Sequence, residues 1–323
     1  MIRAEDAQFH EVPIEYRDTW AESNYFPFFI PEAGLSGAAY CVFRPGLGVC
    51  LSDITIFDHC ASSWEALAYT DNQQHIPCPG DLTDYALRNG LGVKVTSAPN
   101  SYFVTYQGID DTEFAFTFDG IMRPQDFNDP DQDPITRQNS RTGGWDQAFA
   151  GHFDMTGHAQ GRLTLRGKSY DIDCLATMDH SWGPRAERDN GSALFFQAHF
   201  PNGLSVNALM AFDPARPDVA GPVLHGFATN ANGGDVSGLV SGEANIYRDA
   251  IMPERFVVTV KDEAGRVHQL EGQFVNWAPW APYSSVLYYQ GMCTWDDGQQ
   301  KGYGAFQEVI SRAAIARHCY AKK

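Results

Sequence analysis

Residues 172–185, with the sequence IDCLATMDHSWGPR, contain the pattern from which the fold is interpreted. The stretch begins with an apolar run and ends with a Gly-Pro pair, which cannot continue a regular ladder of hydrogen bonds. We therefore predict that a strand ends at Asp179 and that a loop presents the polar side chains that follow. Residues at such a junction are held by a rigid scaffold and stay within reach of a ligand. The alternative is a structural one, in which an Asp179–Arg185 ion pair and a buried Trp182 hold two strands together.

Working outward from this stretch, apolar segments recur in pairs that are joined by short turns. Phe114, Phe116 and Phe118 alternate with smaller residues, as is typical of a half-buried strand. Asn202-Gly203 joins two further segments, and Asn-Gly tolerates the positive φ that a tight hairpin requires. The paired segments are residues 93–106, 162–175, 193–212, 256–274 and 285–310.

This pattern predicts an all-β protein with an antiparallel barrel or sandwich in each half. No alternation of strands and helices and no glycine-rich nucleotide motif is present, so no Rossmann sheet is expected. Only short helices are predicted, at residues 61–70, 81–88 and 311–318.

Residues 123–144 separate the two halves. They are polar and contain three prolines, which is typical of a domain linker or of a long lid over a site. We predict an N-terminal domain of residues 1–140 and a C-terminal domain of residues 141–323.

The composition limits the partners. The 323 residues carry a formal net charge of -17 at pH 7, which argues against binding nucleic acid or an anionic membrane. No apolar stretch is long enough to cross a bilayer, and the N-terminus lacks the apolar core of a signal peptide. The seven cysteines form no Cys-x-x-Cys pair, so reduced thiols in the cytoplasm are expected. A monomer and a homodimer both stay open.

Three stretches carry a resemblance to a known family: residues 22–26 (ESNYF), residues 157–185, and residues 302–308 (GYGAFQE). In these the chain resembles bacterial proteins related to carotenoid 1,2-hydratase (hydroxyneurosporene synthase). The resemblance implies two lipocalin-like β-barrel domains in tandem and a hydrophobic ligand. It also implies water addition, cyclisation or rearrangement without an organic cofactor. In the hydratases a carboxylate at a strand end donates a proton to an alkene, and Asp179 is the position that matches it.

Acid–base chemistry on an alkene requires an acid and a base that differ in environment. Asp179 is the candidate acid, because a dry site lined by Trp would raise its pKa, whereas pairing with Arg185 would lower it. His180 or His59 is the candidate partner, and His59 follows Asp58 as His180 follows Asp179. Consecutive residues of a regular strand point to opposite faces, so such a strand presents only one of Asp179 and His180 to a pocket. At the end of a strand this alternation can break down, so both residues stay candidates.

Aromatic residues are candidates for the apolar wall of the pocket. Tyr25 and Trp182 lie in the stretches described above, and Trp280 and Tyr283 belong to a second aromatic concentration near the end of the chain. Arg185 is a further candidate for contact with the substrate. Core packing is the alternative interpretation for each aromatic residue.

No metal site is predicted, because the histidines that lie in or beside the expected strands include no His-x-His or His-x-x-x-His pair. Together with these candidate residues, the resemblance implies a cofactor-independent lyase or isomerase of the hydratase or dehydratase type. The substrate would be a hydrophobic small molecule such as a terpenoid, a steroid-like compound or a lignin-derived aromatic. The alternative function is a lipocalin-like carrier that binds an apolar ligand without chemistry.

Overall fold

The structure, a computed structural model, describes residues 1–139, 149–185, 192–230, 233–249, 252–282 and 285–321. Antiparallel strands dominate these residues, so the prediction of an all-β fold with two barrel-like domains is confirmed. The chain divides into two compact units. Unit 1 contains Met1–Ile56, Ala68–Asp126 and the described part of Gln147–Arg185, and unit 2 contains the described part of the remaining chain.

Unit 1 is a half-barrel built on one antiparallel sheet. Its strands are β1 (Trp20–Ile30), β2 (Leu35–Arg44), β3 (Val49–Phe57), β4 (Tyr69–Pro77), β5 (Asp84–Ala86), β6 (Leu91–Ser97), β7 (Ser101–Gln107), β8 (Glu113–Gly120), β9 (Gln125–Asp126), β10 (Gly151–Leu165) and β11 (Lys168–Pro184). The sheet order is β4-β3-β2-β1-β11-β10-β8-β7-β6-β5, and β9 pairs with β10. Strands β1, β11 and β10 therefore lie side by side in the middle of the sheet.

The alternation of side chains along the strands produces the core of unit 1. In β8 the residues Phe114, Phe116 and Phe118 are buried while their neighbours are exposed, as the sequence pattern predicted. Phe28 from β1 packs edge-to-face on Phe114 and Phe116, with ring centroids 5.6 and 5.7 Å apart. Burial of aromatic rings in such pairs is a main source of stability in sheet proteins.

Unit 2 contains a closed eight-stranded barrel. The strands in the described part of this unit are β12 (Ser192–His199), β13 (Ser205–Phe212), β14 (Val219–Asn230), β15 (Asp235–Asp249), β16 (Met252–Asp262), β17 (Val267–Phe274), β18 (Ala278–Trp280), β19 (Val286–Asp296) and β20 (Lys301–Ser311). Of these nine strands, β18 pairs only with β19 and lies outside the ring. Each strand pairs with the next in the order β17-β16-β15-β14-β13-β12-β20-β19, and pairing of β17 with β19 closes the ring. Its core includes the stacked rings of Phe256 and Phe306, whose centroids are 3.7 Å apart, and the neighbouring ring of Trp295.

The helices agree with the sequence in part. The predicted C-terminal helix is confirmed as α2 (Arg312–Ala321), and α1 (Pro134–Arg137) was not predicted. The prediction of a helix at residues 81–88 is wrong, because that segment contains strand β5. In the segment 61–70, for which a helix was also predicted, the helical part is only a short 3-10 turn at Trp64–Ala66. None of the helices in the described ranges combines the length and the apolar character that a bilayer crossing requires.

The polar segment predicted as a linker contains β9 and α1 up to residue 139, beyond which it lies outside the described residues. Phe127 and Ile135 are buried, and Ile135 joins the core of unit 2. The Asp133 carboxylate caps α1 by accepting hydrogen bonds from the backbone N–H groups of the first turn. Unit 1 includes β10 and β11, which lie beyond residue 141, so its limits differ from those of the predicted N-terminal domain. The boundary near residue 140 stays a prediction about where the chain could be divided.

Candidate functional site

Strand β11 does not end at Asp179, so that prediction is wrong. The strand continues to Pro184, because β1 pairs with it on one side and β10 on the other. Gly183 permits the extension by adopting a φ of 150°, which side-chain-bearing residues rarely take. The polar residues after Asp179 therefore lie within a regular strand and alternate between its two faces.

Four side chains form a row across four neighbouring strands on one face of the sheet. Tyr40 of β2 pairs with Tyr25 of β1, Tyr25 pairs with Asp179 of β11, and Asp179 pairs with Asp154 of β10. Directly opposed residues of antiparallel strands point to the same side, with Cβ atoms about 4.5–5.5 Å apart. Tyr40, Tyr25 and Asp179 are partly exposed, while the residues that flank them along each strand are buried. Solvent can therefore reach the sheet at this row.

A second row on the same face contains Ser23, Ser181 and His152. The hydroxyl oxygens of Ser23 and Ser181 are 2.8 Å apart, and Arg185 donates hydrogen bonds to both. His152 Nε2 lies 3.3 Å from Asp154 Oδ2. This row brings an imidazole and a guanidinium beside the two carboxyl groups.

The environment of Asp179 favours its protonated form. Burial raises the pKa of Asp179 to about 7; His152 opposes the shift, Asp154 adds to it, and Arg185 opposes it. Within the described ranges no hydrogen bond or ion pair engages the Asp179 carboxyl group. The Asp179–Arg185 ion pair considered from the sequence is thus not formed, because Arg185 binds the two serines.

His180 and Trp182 lie on the opposite face of β11. His180 is buried, and its Nδ1 donates to the carbonyl oxygen of Ser23 at 3.0 Å and to Asn24 Oδ1 at 2.6 Å. Burial lowers the pKa of His180 to about 4, so the ring is neutral. Trp182 is buried and stacks on His10, with ring centroids 3.8 Å apart. The structure therefore does not bring His180 or Trp182 to the face of Asp179.

The remaining predicted residues belong to unit 2 or are not described. His59 follows β3, is exposed, and lies with Nδ1 2.5 Å from Asp58 Oδ1. Trp280 ends β18, is buried, and packs beside Tyr288 with ring centroids 5.0 Å apart. Tyr283 lies outside the described residues. Of the predicted set, the structure brings together Asp179, Tyr25 and Arg185.

The sequence interpretation missed Asp154 and Tyr40 and did not place His152 beside Asp179. One signal was available: His152 and Asp154 are two residues apart, so in a strand they share a face. Asp154 lies opposite Asp179 only because of the strand register, and the two residues are 25 positions apart. No local sequence pattern could have indicated this pairing.

A cleft of about 630 Å³ lies in unit 2 along β13, β14 and β15. Arg216, Asp213 and Glu243 are among its lining residues. Phe212, Val219 and Pro222 also line it, and its described lining includes none of the predicted site residues.

Two solved structures share the fold. Kievitone hydratase from Nectria haematococca superposes with a TM-score of 0.56 at 15% identity, covering 91% of this chain and 89% of its own. A candidate AttH protein (NE1406) from Nitrosomonas europaea gives 0.51 at 13% identity, covering 90% of this chain and 91% of its own. At these identities the likeness shows the fold alone.

No curated protein matches the sequence. A family described as "Domain of unknown function (DUF7064)" matches residues 3–312, which is nearly the whole chain. The chain therefore belongs to this family, DUF7064.

Proposed function

We propose that this protein is a hydratase-type lyase that adds water to, or removes it from, an apolar small molecule, with Asp179 as its general acid. The row of Tyr40, Tyr25, Asp179 and Asp154 carries the proposal, because it sets a partly exposed carboxyl group between aromatic rings and a second carboxyl group. The fold likeness to kievitone hydratase supports the reaction class. Proton transfer and water addition need no organic cofactor.

The two carboxyl groups have different surroundings, which suits different roles. Like charges placed directly opposite each other repel, so one of Asp179 and Asp154 is favoured as the neutral acid. His152 Nε2 lies 3.3 Å from Asp154 Oδ2, so an imidazole is within reach of that carboxyl group. Asp179 is then the proton donor and Asp154 the carboxylate base, in keeping with the pattern of acid–base pairs in enzymes.

In the hydration direction, Asp179 donates its proton to one carbon of an alkene and leaves a carbocation on the other carbon. The rings of Tyr25 and Tyr40 stabilise this cation through their π faces. Water adds to the cation, and Asp154, assisted by His152, takes up the proton that the water loses. Return of that proton to Asp179 restores the acid, so the net change is alkene plus water to alcohol.

Arg185 marks the polar end of the site. Its guanidinium is fixed by Ser23 and Ser181 and lies 5.4 Å from the centre of the Phe149 ring. We expect Arg185 to orient a polar group of an otherwise apolar substrate, since a guanidinium presents donors in a fixed geometry.

The test is an activity screen with the purified full chain. A panel of terpenoid, steroid-like and lignin-derived alkenes is incubated in isotopically labelled water, and labelled alcohols are detected by mass spectrometry. We expect a labelled product from the wild type and product formation slowed on the order of 10²–10⁴-fold in Asp179→Asn. The matched control is Asp173→Asn, which changes an exposed carboxylate on the same face of β11.

If Asp179→Asn forms the product as fast as the control, Asp179 is not the acid. If the wild type binds compounds of the panel without converting any of them, the protein is a carrier and the proposal is wrong.

A further inference from the structure

Three side chains from three separate segments converge on the face of the sheet that lies opposite Asp179. His10 comes from the segment before β1, Glu22 from β1 and His180 from β11. One potential ligand atom of each lies within 4.8 Å of the other two. Glu22 and His180 are buried, and His10 is partly exposed.

Each of these side chains directs one atom toward its partners and has a contact on its other atom. His180 Nδ1 donates to the carbonyl oxygen of Ser23, so the proton is on Nδ1 and the lone pair is on Nε2. His10 Nε2 lies 3.3 Å from Asp6 Oδ1. These contacts leave His180 Nε2 and His10 Nδ1 facing Glu22.

Glu22 is held in the same way. Its Oε1 accepts hydrogen bonds from Trp20 Nε1 at 3.2 Å and from the backbone N–H of His10 at 2.9 Å. Its Oε2 lies 3.1 Å from His10 Nδ1 and 3.8 Å from His180 Nε2. Metal-binding histidines typically give their second nitrogen to a carboxylate or a carbonyl oxygen, and bound carboxylates are hydrogen-bonded in turn. The three side chains show this arrangement in full.

His180 Nε2 provides an independent observation. This atom is buried and makes no hydrogen bond within the described ranges. Glu22 Oε2 lies 3.8 Å away and, like the lone pair on Nε2, can only accept a hydrogen bond. Burying a polar atom without a hydrogen-bond partner is unfavourable, so such an atom indicates a site for a bound ion or molecule. A lone pair aimed at a carboxylate oxygen, with a second imidazole beyond it, is suited to a cation.

We propose that His10 Nδ1, Glu22 Oε2 and His180 Nε2 bind a divalent transition-metal ion of the zinc class. Two imidazole nitrogens and one carboxylate oxygen form a donor set that zinc uses, whereas calcium and magnesium prefer oxygen ligands alone. Tetrahedral zinc bonds of about 2.0–2.2 Å place ligand atoms roughly 3.3–3.6 Å apart. Glu22 Oε2 lies 3.1 and 3.8 Å from the two imidazole nitrogens, and all three atoms lie within 4.8 Å of one another, so shifts of the side chains would bring them to this spacing. Water completes the coordination, and Trp182 stacked on His10 covers one side.

Binding replaces the contact between His10 and Glu22, because His10 Nδ1 must present its lone pair to the metal while Nε2 carries the proton toward Asp6. The ion ties the N-terminal segment to β1 and β11. The sequence predicted no metal because it contains no closely spaced histidine pair. That criterion does not apply to this site, because its ligands come from three separate segments. This proposal does not rest on the proposed function, since Asp179 projects from the other face.

The experiment uses the full-length protein stripped with a chelator and dialysed, then titrated with ZnCl₂ by calorimetry. Metal content and melting temperature are measured with and without zinc. We expect one zinc per chain and a melting temperature that rises with zinc concentration, because a ligand specific to the native state stabilises it. Co²⁺ in place of zinc should give a visible spectrum of a nitrogen- and oxygen-ligated ion.

Two variants and a control locate the site. Asp6→Asn should weaken zinc binding about 10–100-fold, as expected when a group that supports a ligand is lost. His10→Gln should weaken it at least as much and should abolish the zinc-dependent rise in melting temperature. His158→Ala, which removes an exposed His–Asp pair elsewhere on the sheet, should bind as the wild type does. A wild type that binds no zinc, or a His10→Gln variant that binds it equally well, overturns the proposal and leaves the cluster as an ion pair.

Discussion

At the scale of single residues, Asp179 and Arg185 lie near each other but make different contacts. Arg185 bridges Ser23 and Ser181, which face each other across β1 and β11. Asp179 forms no hydrogen bond or ion pair in the part of the chain that the structure describes. Removing the charge of Asp179 should therefore leave no buried partner unpaired, and this separates a catalytic role from a structural one.

The first prediction concerns the stability of these two positions. Asp179→Asn should change the free energy of unfolding by no more than about 1 kcal/mol, because no partner is lost and repulsion with Asp154 is relieved. Arg185→Met should lower it by about 1–3 kcal/mol, because the buried serine hydroxyls lose their donor. Urea unfolding of both variants measures these values. Losses of about 3–5 kcal/mol in both would instead indicate a broken buried ion pair.

The second prediction concerns a buried charge pair in unit 2. Glu308 is fully buried and accepts hydrogen bonds from both terminal nitrogens of Arg248, one of them at 2.9 Å. Glu308→Gln should lower the free energy of unfolding by about 3–5 kcal/mol, because Arg248 keeps its charge. Burial raises the pKa of Glu308 although Arg248 opposes the shift, so the measurement belongs at mildly alkaline pH, where the carboxylate is ionised.

The double variant Glu308→Leu with Arg248→Met is the control for this pair. Since it removes both charges together, it should be more stable than Glu308→Gln alone. A double variant that is as unstable as the single one would show that packing, and not the unpaired charge, causes the loss.

At the scale of strands, local chemistry predicted the hairpins and failed where pairing is long-range. Asn202-Gly203 and Arg166-Gly167 both form the turns that the sequence indicated, because glycine supplies the positive φ. The end of β11 was misplaced because Gly183 can be read as a terminator, whereas strands on both sides hold it in the ladder. Strand β5 was taken for a helix because a three-residue strand has almost no periodicity.

The candidate site shows the same division. Asp179 became a candidate because of the polar stretch after an apolar run and, above all, because of the resemblance to the hydratases. Tyr25 became a candidate because it lies in an aromatic stretch that carries the same resemblance. Tyr40 and Asp154 could not be assigned, because their position opposite Tyr25 and Asp179 depends on the register of four strands. Alternation gives opposite orientations for Asp179 and His180 only in a regular strand. Because the strand was predicted to end at Asp179, the sequence kept both residues as candidates for one pocket.

The third prediction concerns β12, which carries His199 into the interior of unit 2. His199 Nδ1 lies 2.9 Å from Ser205 Oγ, and Nε2 lies 3.0 Å from Gln197 Oε1. Burial lowers the pKa of His199 from 6.5 to about 3. Between these values the unfolded chain binds a proton that the folded protein does not, so stability falls as the pH falls.

This loss should approach about 1.4 kcal/mol per pH unit from His199 alone. His199→Gln, which cannot titrate, should show a shallower dependence of the free energy of unfolding on pH across this range. The comparison requires denaturant unfolding of both proteins at several pH values. An unchanged slope in the variant would show that His199 does not contribute.

At the scale of the whole molecule, one central pair of strands serves both faces of unit 1. Strands β1 and β11 present Tyr25 and Asp179 on one side, and Glu22 and His180 on the other. Neighbouring residues in the sequence can therefore take separate roles in proton transfer and metal binding. The net charge of -17 is compatible with an apolar, uncharged substrate, since it disfavours anionic partners.

A comparison of turnover and ligand affinity between Asp179→Asn and the wild type tests whether Asp179 is the acid of a hydratase. With a substrate taken from the alkene screen, turnover should fall on the order of 10²–10⁴-fold, as expected for the loss of one acid–base group. The dissociation constant of the ligand should stay close to that of the wild type, because asparagine fills the same space. Wild-type turnover in Asp179→Asn would contradict the account.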